Sequence, residues 1–300
     1  MKNKISYLAI CILSLLAACE KLDREIDTDL DKTQIETIYG NLGSLLNGVY
    51  AELPEGFQPV GGAMLASTTD EAEHAIETSS IQNFNNGNWS ASNNPDNAWL
   101  SHFRAIRKAN VFLQSSDRVN HDQIKLDPSP SQQSLYLTRV ADVTRWKYEA
   151  RFLRAFFYFE LVKRYGGVPI MRTPLTEADI AAAKRNTLQE CVQFISDECD
   201  SAAANLPANY SNDLLGANTN AGNLGRATKG AALALKSRLL LYAASDLFNT
   251  PAWAAGYPEP LLISLPAGDR ALRWKAAADA AKAVIDLPGT GYAMFNNYST

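Results

Sequence analysis

The chain has 300 residues, with 32 acidic side chains against 28 lysines and arginines and a formal net charge of −4. That balance argues against nucleic acid as a partner, because phosphate binding draws on concentrated positive charge. Four cysteines and three histidines are too few and too scattered to suggest a disulfide framework or a metal centre.

Residues 1–18 form a secretory leader: Lys2 and Lys4 precede an apolar run from Ile5 to Leu16 that is too short to cross a bilayer as a helix. It ends Leu16-Ala17-Ala18-Cys19, small residues before a cysteine, which reads as a lipobox with Cys19 as the lipidated first residue of the mature chain. Each acyl methylene buried in lipid contributes about 0.8 kcal/mol, so several chains hold a soluble body beside a membrane. Removing Lys2 and Lys4 leaves 26 basic against 32 acidic side chains, a net charge of −6. Residues 19–34, charged and mostly acidic, cannot bury a core and read as a solvated tether.

Helical periodicity starts at Ile35 and runs through Ile38, Tyr39, Leu42, Leu46, Val49, Tyr50 and Leu53. A loop with Pro54, Gly56 and Pro59 follows, and Gly61 to Glu77 fits no single pattern. From Thr78 to Asn97 the chain is polar and rich in asparagine, too long for a mere connector. Helix returns at Trp99 with Phe103, Ile106, Asn110 and Leu113 on one stripe, which assigns Trp99 to the core and makes Asn110 a buried, hydrogen-bonded residue.

After a loop with Pro128 and Pro130 comes the central helix, expected over 142–165. Phe152, Leu153, Ala155, Phe156, Phe157, Phe159 and Leu161 leave only a narrow edge for Arg151, Arg154, Glu160 and Lys163, so the helix must be covered on most sides. Glu149 and Glu160 are expected to pair with Arg151, Arg154 and Lys163. Gly166-Gly167 and then Pro169 write the stop locally.

Thr187-Leu188-Gln189-Glu190 is a capping box opening the next helix, which ends at Leu206-Pro207. Cys191 and Cys199 lie on its apolar stripe; eight residues put them about 12 Å apart, beyond the reach of a disulfide, so they read as small buried hydrophobes. A polar loop over 209–223 leads to Gly225–Ser245, where Thr228 is the expected N-cap of an alanine-rich helix. Leu272–Leu287 closes the series as an amphipathic helix with Trp274, Ala277, Ala278, Ala281 and Ile285 on its apolar face.

No run of period 2 is long enough to propose a sheet. The reading is an all-α chain of helical hairpins, pairing 142–165 with 187–206 and 228–246 with 272–287, with long irregular loops.

No nucleophile stands beside a base, and His74, His102 and His121 have no spacing that puts two on one helical face as metal ligands. No catalytic residue, metal or cofactor is therefore assigned. Asp70-Glu71-Ala72-Glu73-His74 reads as a solvated turn or helix start. Binding chemistry is more visible. A sugar needs an aromatic face for its apolar side and amides or carboxylates for its hydroxyls. Phe84 and Trp89 supply rings, and Asn83, Asn85, Asn86, Asn88, Asn93, Asn94 and Asp96 supply polar groups. Turn formation accounts for most of the asparagines. It does not account for Trp89, which is either a ligand platform or a loop anchor. Trp253 and Tyr257, in a proline-rich loop, are a second candidate.

The segments EARFLRAFFYFELVKRYGGVPIM (149–171), GRATKGAALALKSRLLLYAAS (225–245) and LRWKAAADAAKAVIDL (272–287), in this order, resemble the SusD-like (RagB/SusD) family of outer-membrane nutrient-binding lipoproteins. The resemblance extends upstream to NLGSLLNGVYAEL (41–53) and WLSHFRAIRKANVFL (99–113). It implies a tetratricopeptide-like α-α superhelix whose loops carry ligand contacts. It also implies a surface-exposed, non-catalytic outer-membrane lipoprotein that delivers a glycan to a TonB-dependent, SusC-like transporter. Asp70 sits where the family often places residues near the binding region, so the ligand set is Trp89, Asn88, Asp70, Asn94, Trp253 and Tyr257. On this resemblance 35–225 is the N-terminal region and 226–300 the start of a C-terminal region, apparently truncated. Two other functions stay open: a helical-repeat scaffold for peptides or proteins, and a glycoside hydrolase, which needs two carboxyls facing across a cleft.

Overall fold

The computed structural model describes residues 38–210, 223–249, 254–290 and 292. The leader, Cys19, the tether, Ile35 and Trp253 lie outside them. The described residues form a layered stack of helices: α1 (Tyr39–Tyr50), α2 (Gln82–Asn85), α3 (Trp99–Ser116), α4 (Asp122–Leu126), α5 (Pro130–Tyr165), α6 (Glu177–Ala182), α7 (Leu188–Asn205), α8 (Lys229–Ala244) and α9 (Arg270–Ile285). Among the described residues the only β pairing is two isolated bridges, Val60 with Ala63 and Ser90 with Asn93.

The six long helices pack in chain order, α1 on α3, α3 on α5, α5 on α7, α7 on α8 and α8 on α9. Both expected hairpins are present. The apolar α5 is the shared wall: Leu153, Ala155, Phe157, Phe159 and Leu161 are buried, together with Leu42 and Leu46 of α1, Ile106 and Phe112 of α3, and Ile195 of α7. Burial contributes roughly 1.5–3 kcal/mol for each such large side chain, so α5 is held by its neighbours more than by its own propensity.

Local signals explain the ends. Gly166, at φ 71°, stops α5 in a conformation that disfavours any side chain. The capping box of α7 forms: the Glu190 N–H donates to Thr187 Oγ1 (3.2 Å) and the Thr187 N–H donates to the Glu190 carboxylate (2.8 Å). Thr228 caps α8 through the Ala231 N–H (3.2 Å). Cys191 and Cys199 are buried free thiols.

Five expectations need correction. The central helix begins at Pro130, not near 142: this proline occupies the first turn, where its missing N–H is harmless and its fixed φ suits a helix, so it starts the helix instead of marking a loop. The first helix begins at Tyr39, with Ile38 as its N-cap and Leu53 already in the exposed turn beyond it. Trp99 is not core; it is 37% exposed, held edge-on by Tyr165 and tilted against Phe103. Of the apolar face expected on α9 only Ala277 is buried, while Trp274 and Ile285 are 44% and 77% exposed. The helix packs on α8, and Ala277 is its one buried residue among those described.

The fifth correction concerns ion pairs. Glu149, fully buried, does not pair with Arg151 or Arg154; it accepts from Arg145 Nε (3.1 Å), Arg226 Nη1 (2.9 Å), Tyr50 OH (2.8 Å) and Tyr210 OH (3.3 Å). One carboxylate thereby joins α1, α5 and the segment before α8. Arg151 and Arg154 turn instead to Glu198 of α7, at 2.7 and 2.6 Å. Arg154 Nη1 also donates to Asn110 Oδ1 (2.7 Å), whose Nδ2 donates to the carbonyls of Met171 (2.9 Å) and Thr173 (3.3 Å). Asn110 is thus buried and satisfied, as its place on an apolar stripe requires.

Candidate functional site

Residues 54–97 form a layer of turns over the helical stack, with a small core of their own. Val60, Ala63 and Ile81 are buried together and Phe84 of α2 packs on them. The turn Leu65–Thr68 is tied to α2 by Asn85 Nδ2, which donates to the Ser67 carbonyl at 2.9 Å. Two side chains fasten this layer below. Asp96 receives both Arg164 Nε (2.8 Å) and Nη2 (2.9 Å), a two-pronged pair of the stronger kind. Tyr165 OH accepts from the Ala98 N–H (3.0 Å) and donates to Asn97 Oδ1 (3.2 Å).

On this layer Trp89 is 58% exposed. Phe84 backs its ring at 5.2 Å between centroids, and its Nε1–H donates to Asn94 Oδ1 at 3.1 Å. Gly87, at φ 72°, makes the turn that presents it. The surrounding amides are fixed in a mesh: the Asn88 N–H donates to Asn86 Oδ1 (2.9 Å), Asn93 Nδ2 donates to the Asn88 carbonyl (2.6 Å), and Asn94 Oδ1 also accepts from the Asp96 N–H (2.9 Å). Among the described residues the Asn88 side chain and Asn94 Nδ2 make no hydrogen bond. A rigid, outward indole flanked by unused amides can stack on the apolar face of a ring and bond its hydroxyls.

Of the expected ligand set, the structure brings Trp89, Asn88 and Asn94 together. Asp70 sits in an exposed turn just past Leu65–Thr68, and its carboxylate has no hydrogen bond or ion pair among the described residues. Tyr257 lines a different cleft of about 470 Å³ formed by residues 254–267, to which the Trp89 loop contributes nothing. Trp253 lies outside the described residues.

Two clefts were not foreseen. One, of about 590 Å³, is mostly apolar and lies between α3 and the 169–183 segment, with Trp99, Phe103, Ile106, Met171 and Leu175 in its walls. The other, of about 360 Å³, lies under the turn layer against α5 and includes His102, Glu160, Lys163, Arg164 and Arg238. Burial would raise the Glu160 carboxyl, but Lys163 and Arg164, at 2.7 and 2.6 Å, outweigh it and hold the group below its usual value. Burial holds the His102 imidazole below its usual value, so it is neutral at pH 7. The sequence signal for this second cleft was weak: a histidine beside an apolar stripe, and arginines that come together only in three dimensions.

Residues 21–241 match a family model described as SusD-like, starch-binding, associating with the outer membrane. The chain belongs to the SusD-like family. Solved structures carry the same fold. A SusD-like protein from Bacteroides fragilis is 25% identical with a TM-score of 0.57, over 90% of this chain and 41% of that one. A SusD-like carbohydrate-binding protein from the same organism is 22% identical with a TM-score of 0.58, over 85% and 41%. A laminarin-binding SusD-like protein is 20% identical with a TM-score of 0.60, over 87% and 47%. The SusD-like chain described here therefore spans less than half the length of these structures. No curated protein matches it.

Proposed function

We propose that this SusD-like chain is a non-catalytic outer-membrane lipoprotein, anchored through Cys19 and exposed at the cell surface, that captures a glycan and passes it to a TonB-dependent transporter. The observation that carries the reading is the Trp89 platform: an exposed ring, braced by Phe84 and Asn94, beside unused amides. Membership of a family described as starch-binding supports the ligand class, as does a structural neighbour named for binding laminarin. The segmentation into a leader (1–18), a tether (19–34), an N-terminal region (35–225) and the start of a C-terminal region (226–300) belongs to the same proposal, as do ligand contacts from Asp70, Trp253 and Tyr257.

Affinity electrophoresis of the protein through a panel of neutral polysaccharides tests it. Retardation by at least one glycan, lost in Trp89→Ala, with no sugar released, is the expected outcome; uniform mobility across the panel refutes capture. Labelled palmitate incorporated at Cys19, and absent from Cys19→Ala, tests the anchor.

A second reading, a scaffold for peptides, is favoured by the apolar cleft beside α3. Recovery of protein partners alone, with glycan retention indifferent to Trp89, would select it.

A further inference from the structure

The chain contains two Asn-Gly pairs, Asn47-Gly48 and Asn86-Gly87, and the fold treats them oppositely. Such a pair carries chemistry because an asparagine amide can be displaced by the backbone nitrogen of the residue that follows, and glycine puts no side chain in the way. The other asparagines around Trp89 lack this opening. Asn83, Asn85, Asn88 and Asn93 precede larger residues, and Asn94 precedes Pro95, which has no N–H.

Asn47-Gly48 lies inside α1, where the helical ladder occupies the Gly48 N–H and Arg226 Nη2 holds Asn47 Oδ1 at 3.2 Å. Asn86-Gly87 lies just past the end of α2. Both of its residues are exposed, and a Cβ on Gly87 would meet nothing within 4 Å, so there is room for the backbone rotation that attack requires. Among the described residues neither the Gly87 N–H nor Asn86 Nδ2 makes a hydrogen bond. The Asn88 N–H donates to Asn86 Oδ1 at 2.9 Å, which folds the side chain back over the Gly87 peptide and draws electron density from its Cγ. Nucleophile, electrophile and leaving group are thus side by side.

We propose that Asn86 is a site of spontaneous covalent modification that re-spaces the Trp89 turn as the protein ages. Gly87 N bonds to Asn86 Cγ, the Cγ–Nδ2 bond breaks, and ammonia leaves with the proton that Gly87 gives up. One water then opens the cyclic imide at either carbonyl, leaving aspartate or isoaspartate at position 86. Both are carboxylates at neutral pH, so the turn layer gains one negative charge. Aspartate can still accept from the Asn88 N–H. Isoaspartate carries the main chain through its side chain, adds a methylene before Gly87 and loses that geometry. It therefore releases Asn88 on one side, while Asn93 Nδ2 still holds the Asn88 carbonyl on the other, and the turn that presents Trp89 shifts. The chemistry does not depend on what Trp89 binds.

Incubation of the full protein at mildly alkaline pH tests it, followed by peptide mapping for aspartate and isoaspartate and by the indole ¹⁵N signal of Trp89, assigned with Trp89→Ala. Position 86 converts at least tenfold faster than position 47, and a second Trp89 signal grows in proportion to isoaspartate. Asn86→Gln, whose ring closure needs one more atom and is slower, suppresses both. Equal conversion of the two positions overturns the proposal. So does a Trp89 signal unmoved in the isoaspartyl fraction, or one that drifts as fast in Asn86→Gln.

Discussion

Arg154 of α5 and Glu198 of α7 meet at 2.6 Å with their side chains only 8% and 4% exposed. Removing one partner of a buried pair strands the other charge, which costs about 3–5 kcal/mol. Glu198→Gln is therefore expected to destabilise the protein by about that amount, since both Arg151 and Arg154 lose their counter-charge. Arg154→Met should cost less, because Arg151 still neutralises Glu198. Urea unfolding of the two variants measures the difference, and equal losses would contradict the geometry.

Gly167 separates crowding from backbone conformation. A Cβ there would strike the Asn186 carbonyl oxygen and crowd Leu188 N at 3.0 Å, although Gly167 is not at positive φ. Gly167→Ala should destabilise by about 1–3 kcal/mol through overpacking alone. Gly166→Ala combines a clash on the Leu262 carbonyl with strain at φ 71°, and should cost at least as much. Thermal melts of both variants check the order.

Acid sensitivity should appear in two steps. His102 and His121 both have folded values lowered chiefly by burial, so near pH 6 the unfolded chain binds more protons than the folded one. Their contribution to stability is complete above about pH 6.5 and falls as the solution is acidified below it. Glu160 follows lower: its folded value is depressed, so its stabilisation is present above about pH 4.5 and is lost as pH falls through the folded value. Urea midpoints from pH 8 to pH 3 should decline over both windows, and His102→Gln should reduce the decline between pH 7 and pH 5. A flat profile over that upper window would exclude the histidine contribution.

Asn94 holds the Trp89 indole and the Asp96 N–H with a single oxygen. Asn94→Ala should weaken glycan retention about 3- to 10-fold by releasing the ring, equivalent to one lost hydrogen bond. It should leave the melting temperature of the helical stack nearly unchanged, because the residue touches only the turn layer. Unchanged retention would mean that the ring needs no brace.

The thiols of Cys191 and Cys199 should resist modification until the protein unfolds. Burial pushes Cys191 up to about 11 and raises Cys199 as well, so neither supplies appreciable thiolate at neutral pH. A thiol reagent added with and without denaturant measures this directly.

Much of this architecture was legible because its signals are local. The Gly166 stop, the Thr187 box, the Thr228 cap and the apolar surface of α5 each follow from a few adjacent residues, and all appear as read. What escaped depends on distant partners. Glu149 meets Arg226 rather than its helical neighbours Arg151 and Arg154 because the segment before α8 folds back over it, which no periodicity announces. Trp99 was assigned inward from its stripe, yet a stripe gives direction, not whether anything covers its end. In the candidate site, Trp89 stood out as an aromatic misfit among asparagines. Tyr257, in a proline-rich loop, lies instead in the separate cleft of the 254–267 loop.

The Asp96–Arg164 clamp and the Tyr165 hydroxyl mean that the turns of residues 54–97 are bolted to the stack at their exit, while Phe84 and Ile81 supply their own ballast. Residues 86–94 lie outside that small core, so substitutions there leave its buried contacts in place.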